Sequence, residues 1–278
     1  MKAVIDSGSS ISKWAVCDDD FNIIEEFQLG GINPTSNPGS VALFSQIPDK
    51  FIPTIKEVYY YGSGVSTQAS KLSIKDAIDK NLPKVEKIEI ENDLLAACRS
   101  LSYGTASFVV ILGTGTNACL FDGTQVVAKT PSLGFLFDDY GSGYHLGREI
   151  IIRFFNNKMS EADYNLFISM YGRDRDSIIQ PIYNSDKPNS QIAAYTLFLS
   201  ECSLALRAQV CSYAFKRFLK KRVNPINNPE NCKVINCIGS IAYHFEKELN
   251  SACQEQGYEI GTITQNPIIG LLNYYKTR

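Results

Sequence analysis

Short apolar runs separated by small polar turns fill the first hundred residues. Lys2 to Asp6 ends in a Ser/Gly turn, Ser12 to Cys17 follows, and Asp18-Asp19-Asp20 breaks the chain before Phe21 to Leu29. This pattern predicts three short strands in a meander. Residues 40–47 carry apolar side chains at helical spacing. Residues 57–61 are a β-rich run ending at Gly62, and 66–80 read as a surface helix with Pro83 beyond its end. Residues 85–90 alternate apolar with charged, as a strand does. Asn92 then stands as N-cap to a run of helix formers beginning Asp93-Leu94-Leu95.

The pattern then restarts. Ser107 to Leu112 is a buried strand, Gly113 to Asn117 a turn, Ala118 to Phe121 a second strand, Asp122-Gly123 a two-residue hairpin signal, and Gln125 to Lys129 a third strand. Strand, small-residue turn, strand, acidic turn and strand thus occur twice, about 107 residues apart, and an internal duplication is the simplest account. The halves then diverge. Residues 141–222 read as mostly helical, 233–238 as a strand ending in Gly239-Ser240 before another helix. Pro267 stands at the N1 position of a closing apolar helix. No Pro/Gly/Ser-rich linker divides the halves. The expected domains are 1–105 and 106–278, the second with a helical insertion, and helix 267–278 is free to pack back on the first.

Composition narrows the classes. The net charge of −2 leaves no basic footprint for nucleic acid or anionic lipid. The N-terminal apolar run stops at Asp6, short of a signal peptide, and no window approaches the length of a membrane span. A soluble cytoplasmic protein is the expectation. The eight cysteines form no Cys-x-x-Cys pair and read as buried free thiols. With only His145 and His244, Ser-His-Asp hydrolysis and His-rich metal sites lose their raw material, so acid–base work falls to carboxylates or Lys. His145 reads as a packing residue, Trp14 as core, and Asp18 to Asp20 as a solvated turn.

Two turns carry candidate chemistry. In Asp6-Ser7-Gly8-Ser9-Ser10, small residues can present N–H groups and hydroxyls to phosphate, with Gly8 tolerating φ > 0. Asp6 would hold Mg²⁺, through water, and Lys13 would add a point charge. A plain hairpin turn is the competing reading. Gly113-Thr114-Gly115-Thr116-Asn117 repeats the arrangement without the acidic residue. Gly113-x-Gly115-x-x-Ala118 also fits a dinucleotide fingerprint. That motif needs a helix next, whereas a strand with an Asp-Gly turn follows here. No Walker A sequence is present. By pattern alone, Asp93 is equally a helix-start residue or a base, and Asp139 a turn residue or a buried-edge carboxylate.

Seven segments in order resemble the N-acetylglucosamine kinase branch of the sugar kinase, Hsp70 and actin superfamily, close to the BadF/BadG-type ATPases. They are Asp-Ser-Gly-Ser-Ser-x-Ser-Lys at 6–13, Gly-Gly-Ile-Asn-Pro at 30–34, Glu-Asn-Asp at 91–93, Leu-Gly-Thr-Gly-Thr-Asn at 112–117, Asp-Tyr-Gly-Ser-Gly-Tyr at 139–144, Cys-Ile-Gly-Ser-Ile at 237–241 and Pro-Ile-Ile-Gly at 267–270. The resemblance implies an α/β chain of duplicated ribonuclease H-like domains, the actin-like ATPase fold, flanking an interdomain cleft. It implies an ATP-dependent kinase for an amino sugar, with Mg²⁺ and phosphorylation at the 6-position.

By position it makes Asp93 the general base. It gives nucleotide and phosphate contacts to Gly8, Ser9, Ser10, Ser12, Lys13, Gly113, Thr114, Gly239, Ser240 and Gly270. It places Asn33, Gly115, Thr116, Asn117, Ser132, Leu133, Gly134 and Asp139 against the sugar. Two departures stand out. The animal enzymes have Trp where Leu133 falls and Gly at Asp138, so glucosamine and N-acetylmuramic acid stay open as substrates. A BadF-type ATPase activating a redox partner is the other class, and an Hsp70- or actin-like switch lacks room in this length. Oligomeric state is left open, a homodimer included.

Overall fold

A computed structural model describes residues 1–8, 10–229 and 231–278. They fall into two units: Met1–Thr105 with Gly123–Gln125 and Asn266–Arg278, and Ala106–Asp122 with Val126–Gln265.

The first unit begins with strands β1 (Lys2–Ser7), β2 (Ile11–Cys17) and β3 (Ile23–Gly30). Two 3₁₀ segments follow, Pro38–Gln46 and Asp49–Phe51, and then β4 (Glu57–Gly62), α1 (Gln68–Asn81), β5 (Lys87–Asn92) and α2 (Asp93–Leu101). The helical spacing at 40–47 therefore winds as 3₁₀. Pro38 and Gly39 open it and no side chain caps it, so the segment buries Phe44 without the ladder of a full α-helix. Asn92 accepts the Leu95 N–H at 2.9 Å and caps α2. The sheet runs β3-β2-β1-β4-β5, with the first three strands antiparallel and β1, β4 and β5 parallel.

Strand β1 is apolar from Ala3 to Ile5 because both faces are covered there. Ala3 and Ile5 join Trp14, Phe44, Ile74 and Ile78 on one side. Val4 joins Tyr59, Tyr61, Leu271 and Leu272 on the other. Trp14 is core, stacked on Phe27 at 5.3 Å. Asp18 gathers the Asp20 and Asn22 N–H groups into an exposed turn.

The second unit repeats the plan with β6 (Ser107–Leu112), β7 (Thr116–Phe121) and β8 (Val126–Lys129). It then inserts helices α3 (Gly143–Phe155), α4 (Glu161–Tyr171), α5 (Arg175–Tyr183), α6 (Pro188–Ala194), α7 (Phe198–Glu201) and α8 (Leu204–Phe218). A π turn (Leu219–Val223) leads on to β9 (Val234–Ile238), α9 (Ser240–His244), α10 (Glu246–Glu255) and β10 (Glu259–Thr264). Its sheet order, β8-β7-β6-β9-β10, matches the first strand for strand in both order and sense. The chain is thus a duplicated α/β protein with the ribonuclease H-like sheet of the actin-like ATPase fold in each unit. The β7–β8 connection runs over 122–125 instead of the two residues that Asp-Gly suggests.

Strand β10 is absent from the sequence expectations. Its Glu-Ile-Gly-Thr-Ile-Thr run alternates weakly, and its pairing to β9 is irregular between Ile260 and Ile263. A Cβ on Gly261 would lie 2.2 Å from the Asn236 Oδ1, which accepts the Thr262 N–H. The glycine is there to admit that side chain. Helix α11 (Ile268–Lys276) returns to the first unit, with Pro267 at its N-cap, one residue earlier than the N1 expectation.

Candidate active site

In the first unit, three parallel strands end together. Asp6 lies opposite Tyr61 and Tyr61 opposite Glu91, while Ser7, Gly62 and Asn92 share the next register level. The residues just past those ends are Gly8, Ser63 and Asp93, and the carboxyl ends of parallel strands are where α/β folds place ligands. The Ser63 hydroxyl donates to the Asp93 Oδ2 at 2.7 Å. Ser63 is absent from the sequence expectations. Its one signal is the Gly-Ser-Gly spacing at 62–64, a shorter echo of the two phosphate-type turns.

The two carboxylates share a field. Burial pushes the Asp6 carboxyl up to about 7, the Asp93 charge pushes it the same way, and Lys13, its ladder partner on β2, opposes both. Asp93 is also raised by burial, against the lowering effects of the Ser63 hydroxyl and the Leu94 N–H. The helix N-terminus therefore favours the ionised form, as its dipole should. Desolvation outweighs it.

The first turn divides its duties. The Gly8 N–H closes the turn on the Ile11 carbonyl at 2.9 Å, so it is not offered to phosphate. Ser7 is fully buried and bridges the Ile32 N–H and C=O, tying β1 to the loop after β3. Ser12 is fully buried, and its hydroxyl accepts the Trp14 indole N–H at 2.7 Å. That placement gives Ser12 to the core and removes it from the phosphate set. Ser9 lies outside the described residues, and Ser10 is exposed. Asn33 Oδ1 accepts the Thr35 and Ser36 N–H groups, so that oxygen shapes its own turn. Thr35 in turn donates to the Gly64 carbonyl at 2.6 Å, drawing this loop toward Ser63. Gly270, expected at the nucleotide, lies inside α11, where a Cβ would meet Ser100 of α2 at 2.5 Å. Its smallness serves helix packing.

The second unit has a parallel arrangement. The Gly113 N–H closes on the Gly115 carbonyl at 3.0 Å, and the Gly113 and Thr114 carbonyls accept the Gly143 and Tyr144 N–H groups at the start of α3. Asp139 is buried at φ 56° and accepts the Thr116 N–H at 2.8 Å. A Cβ on Gly115 would lie 2.9 Å from both Asp139 oxygens, so only glycine fits there. Burial raises the Asp139 carboxyl and Asp138 adds to that, while the Thr116 N–H and the Arg222 charge lower it. Asn117 Oδ1 accepts the Ala118 N–H at 3.0 Å.

Gly239 has φ 124°, and a Cβ there would lie 2.3 Å from the Leu112 carbonyl oxygen. It lets the exits of β6 and β9 close on each other. Ser240 is exposed at the start of α9. Ser132, Leu133 and Gly134 lie together on an exposed loop. His145 accepts the Gly141 N–H on Nδ1, and burial lowers it to about 4, so it packs as a neutral ring. Arg222, paired with Asp138 at 2.7 Å, was not anticipated, because its Lys-Lys-Arg run reads as a solvated helix end.

The residues suit the groups that a kinase would bring. Among the described residues no cluster of three or more His, Cys, Asp or Glu side chains could hold a metal. One or two carboxylates completed by water and phosphate oxygens is the set Mg²⁺ commonly uses. Asp6, penalised when ionised, would be relieved by such a cation. All eight cysteines are free, with only Cys202 and Cys232 partly exposed. Among the described residues no helix is long and apolar enough to cross a membrane.

A Porphyromonas gingivalis protein, provisionally assigned as an N-acetylglucosamine kinase, superposes with a TM-score of 0.90 and 30% identity over 100% of this chain and 99% of its own. This chain belongs to the N-acetylglucosamine kinase family. The N-acetyl-D-glucosamine kinase of Dictyostelium discoideum is 34% identical over 90 residues, 32% of this chain and 28% of that protein. A Chromobacterium violaceum protein with the same provisional assignment matches at TM-score 0.70 and 14% identity over 98% of each chain, which speaks for fold alone. No family model matches the chain.

Proposed function

We propose that the protein transfers the γ-phosphoryl group of ATP to an amino sugar, N-acetylglucosamine foremost, at its 6-hydroxyl. The observation that carries this reading is the Asp93 carboxylate. It is fixed by Ser63 at the shared end of three parallel strands, with Asp6 close enough for the Asp93 charge to raise its carboxyl, in a chain of the N-acetylglucosamine kinase family. In this reading Asp93 accepts the proton of the attacking hydroxyl. The sugar oxygen bonds to the γ-phosphorus as the bond to ADP breaks. Asp139, held by the Thr116 N–H, accepts sugar hydroxyls, as do Asn33 and Asn117, and the Gly115 backbone lies against the sugar.

Mg-ATP takes its phosphate contacts from the small-residue turns of both units, Ser10 and Lys13 in one and Thr114 in the other, with Gly239 on the adenosine side. Mg²⁺, when bound through Asp6 and water, neutralises charge on the transferring group. Lys13 lies across the ladder from Asp6 and adds positive charge without crowding the metal.

The test is ADP release from Mg-ATP with N-acetylglucosamine, glucosamine and N-acetylmuramic acid as acceptors. N-acetylglucosamine should stimulate release most. Asp93→Asn should lower kcat by about 10²–10⁴-fold while ATP binding persists. Release that no sugar stimulates would overturn the reading.

A further inference from the structure

The segment between β8 and Asp139 is held in an unusual way. Arg222 is 2% exposed and comes from the π turn after α8, a helix defect often found at functional places. Its Nη1 donates to the Asp138 Oδ2 at 2.7 Å and to the Pro131 carbonyl. Its own carbonyl accepts the Thr130 hydroxyl at 3.1 Å. One residue thus grips both ends of the eight-residue stretch 131–138. Between the grips the chain turns tightly, with the Phe137 and Asp138 N–H groups both donating to the Gly134 carbonyl. Its tip is apolar and bare, with Leu136 72% and Phe137 75% exposed and Leu133 close behind.

This network is costly for what it stabilises. Among the described residues, none hydrogen-bonds the buried Nε and Nη2 of Arg222. A buried ion pair that leaves donors unsatisfied contributes little net stability against an apolar replacement. What it does contribute is geometry. Asp138 is pinned, and the next residue is Asp139, whose carboxylate lies against Gly115 and Thr116.

We propose that the Arg222–Asp138 pair is a latch that holds residues 131–138 as a fixed wall of the sugar site and sets the backbone of Asp139. Arg222 is a positioning residue, which need not touch substrate. The inference rests on the sugar-kinase reading for its catalytic consequence, while the latch itself can be read without any sugar. Amide hydrogen exchange and sugar kinetics on the full chain test it with Asp138→Asn, Arg222→Met and the double variant. The double variant carries no lone buried charge and keeps the test open where a single variant unfolds.

Exchange at Leu133, Phe137 and Asp138 should rise at least about tenfold in every folded variant, with the rest of the second unit protected as before. The KM for N-acetylglucosamine should rise about tenfold, with kcat and the KM for ATP within about threefold of the parent. Unchanged exchange at these amides overturns the latch, as does exchange that rises evenly across the unit. Raised exchange with an unchanged sugar KM removes the segment from the sugar site. Raised exchange in a protein that no sugar stimulates upholds the latch and instead sinks the kinase reading.

Discussion

Ser63 acts on the Asp93 carboxylate through a single hydrogen bond, and removing it has two separable consequences. Ser63→Ala should lower kcat about tenfold, in line with losing one hydrogen bond to a charged group. It should also move the acid limb of the pH–rate profile upward, because the hydroxyl is one of the groups that lower the Asp93 pKa. A steady-state pH series checks both, and an acid limb that stays put or moves down refutes the assignment. Asp6 gives a prediction without substrate. Its carboxyl is raised by burial and by Asp93, so the stability linked to its protonated form is complete below the ordinary carboxylate range. That stability is lost as pH rises through about 7. Asp6→Asn should therefore melt higher than the parent at about pH 8, by a margin that narrows steadily as pH falls and closes only in the ordinary carboxylate range. Superimposable Tm–pH curves would show that Asp6 is not perturbed. The position of Asp93 after its cap was legible because Asn92 and the helix formers after it are local signals. Ser63 and Arg222 were not, since each gains meaning only from a partner 30 or 84 residues away.

Helices and strands transmit these local settings. Helix α2 carries Asp93 at its first turn, and α11 packs on it through Gly270, where any Cβ would run into the Ser100 backbone at 2.5 Å. Ala is a better helix former than Gly by about 1 kcal/mol, so an isolated helix would gain from Gly270→Ala. Here the clash decides the sign, because backbone cannot swing aside as a side chain can. The substitution should destabilise by about 1–3 kcal/mol, read from urea unfolding, and a stabilised variant would show that the helices yield freely. The sequence marked this glycine but could not say which neighbour required it. Most strands were legible from alternation and from runs of Val and Ile. Strand β10 was not, because its irregular register and Gly261 serve the Asn236 side chain, a contact that crosses to another strand.

On the scale of the whole chain, the repeated strand–turn–strand pattern was visible because the duplication preserves small residues at both turns, and the matching sheet orders follow from it. Less visible is how the first unit completes its core. Its second apolar layer, with Val4, Ala15, Phe21, Tyr59, Tyr61 and Ala96, is closed by Ile268, Leu271 and Leu272 from the far end of the chain. Tyr275 adds a hydroxyl contact to Tyr61 at 2.5 Å and a stacked face to Phe21. Deleting residues 266–278 would bare this layer, and each large apolar side chain exposed costs about 1.5–3 kcal/mol. The second unit keeps its own core, built from Phe108, Val110, Leu146, Phe154, Phe167, Phe215 and Phe218. The truncated chain should therefore lose exchange protection through β1, β4 and α2 while β6, β9 and α8 stay protected. Uniform loss across both units would mean that they fold as one cooperative body. Loss confined to the last turn of α2 would mean that the C-terminal helix covers the layer without supporting it.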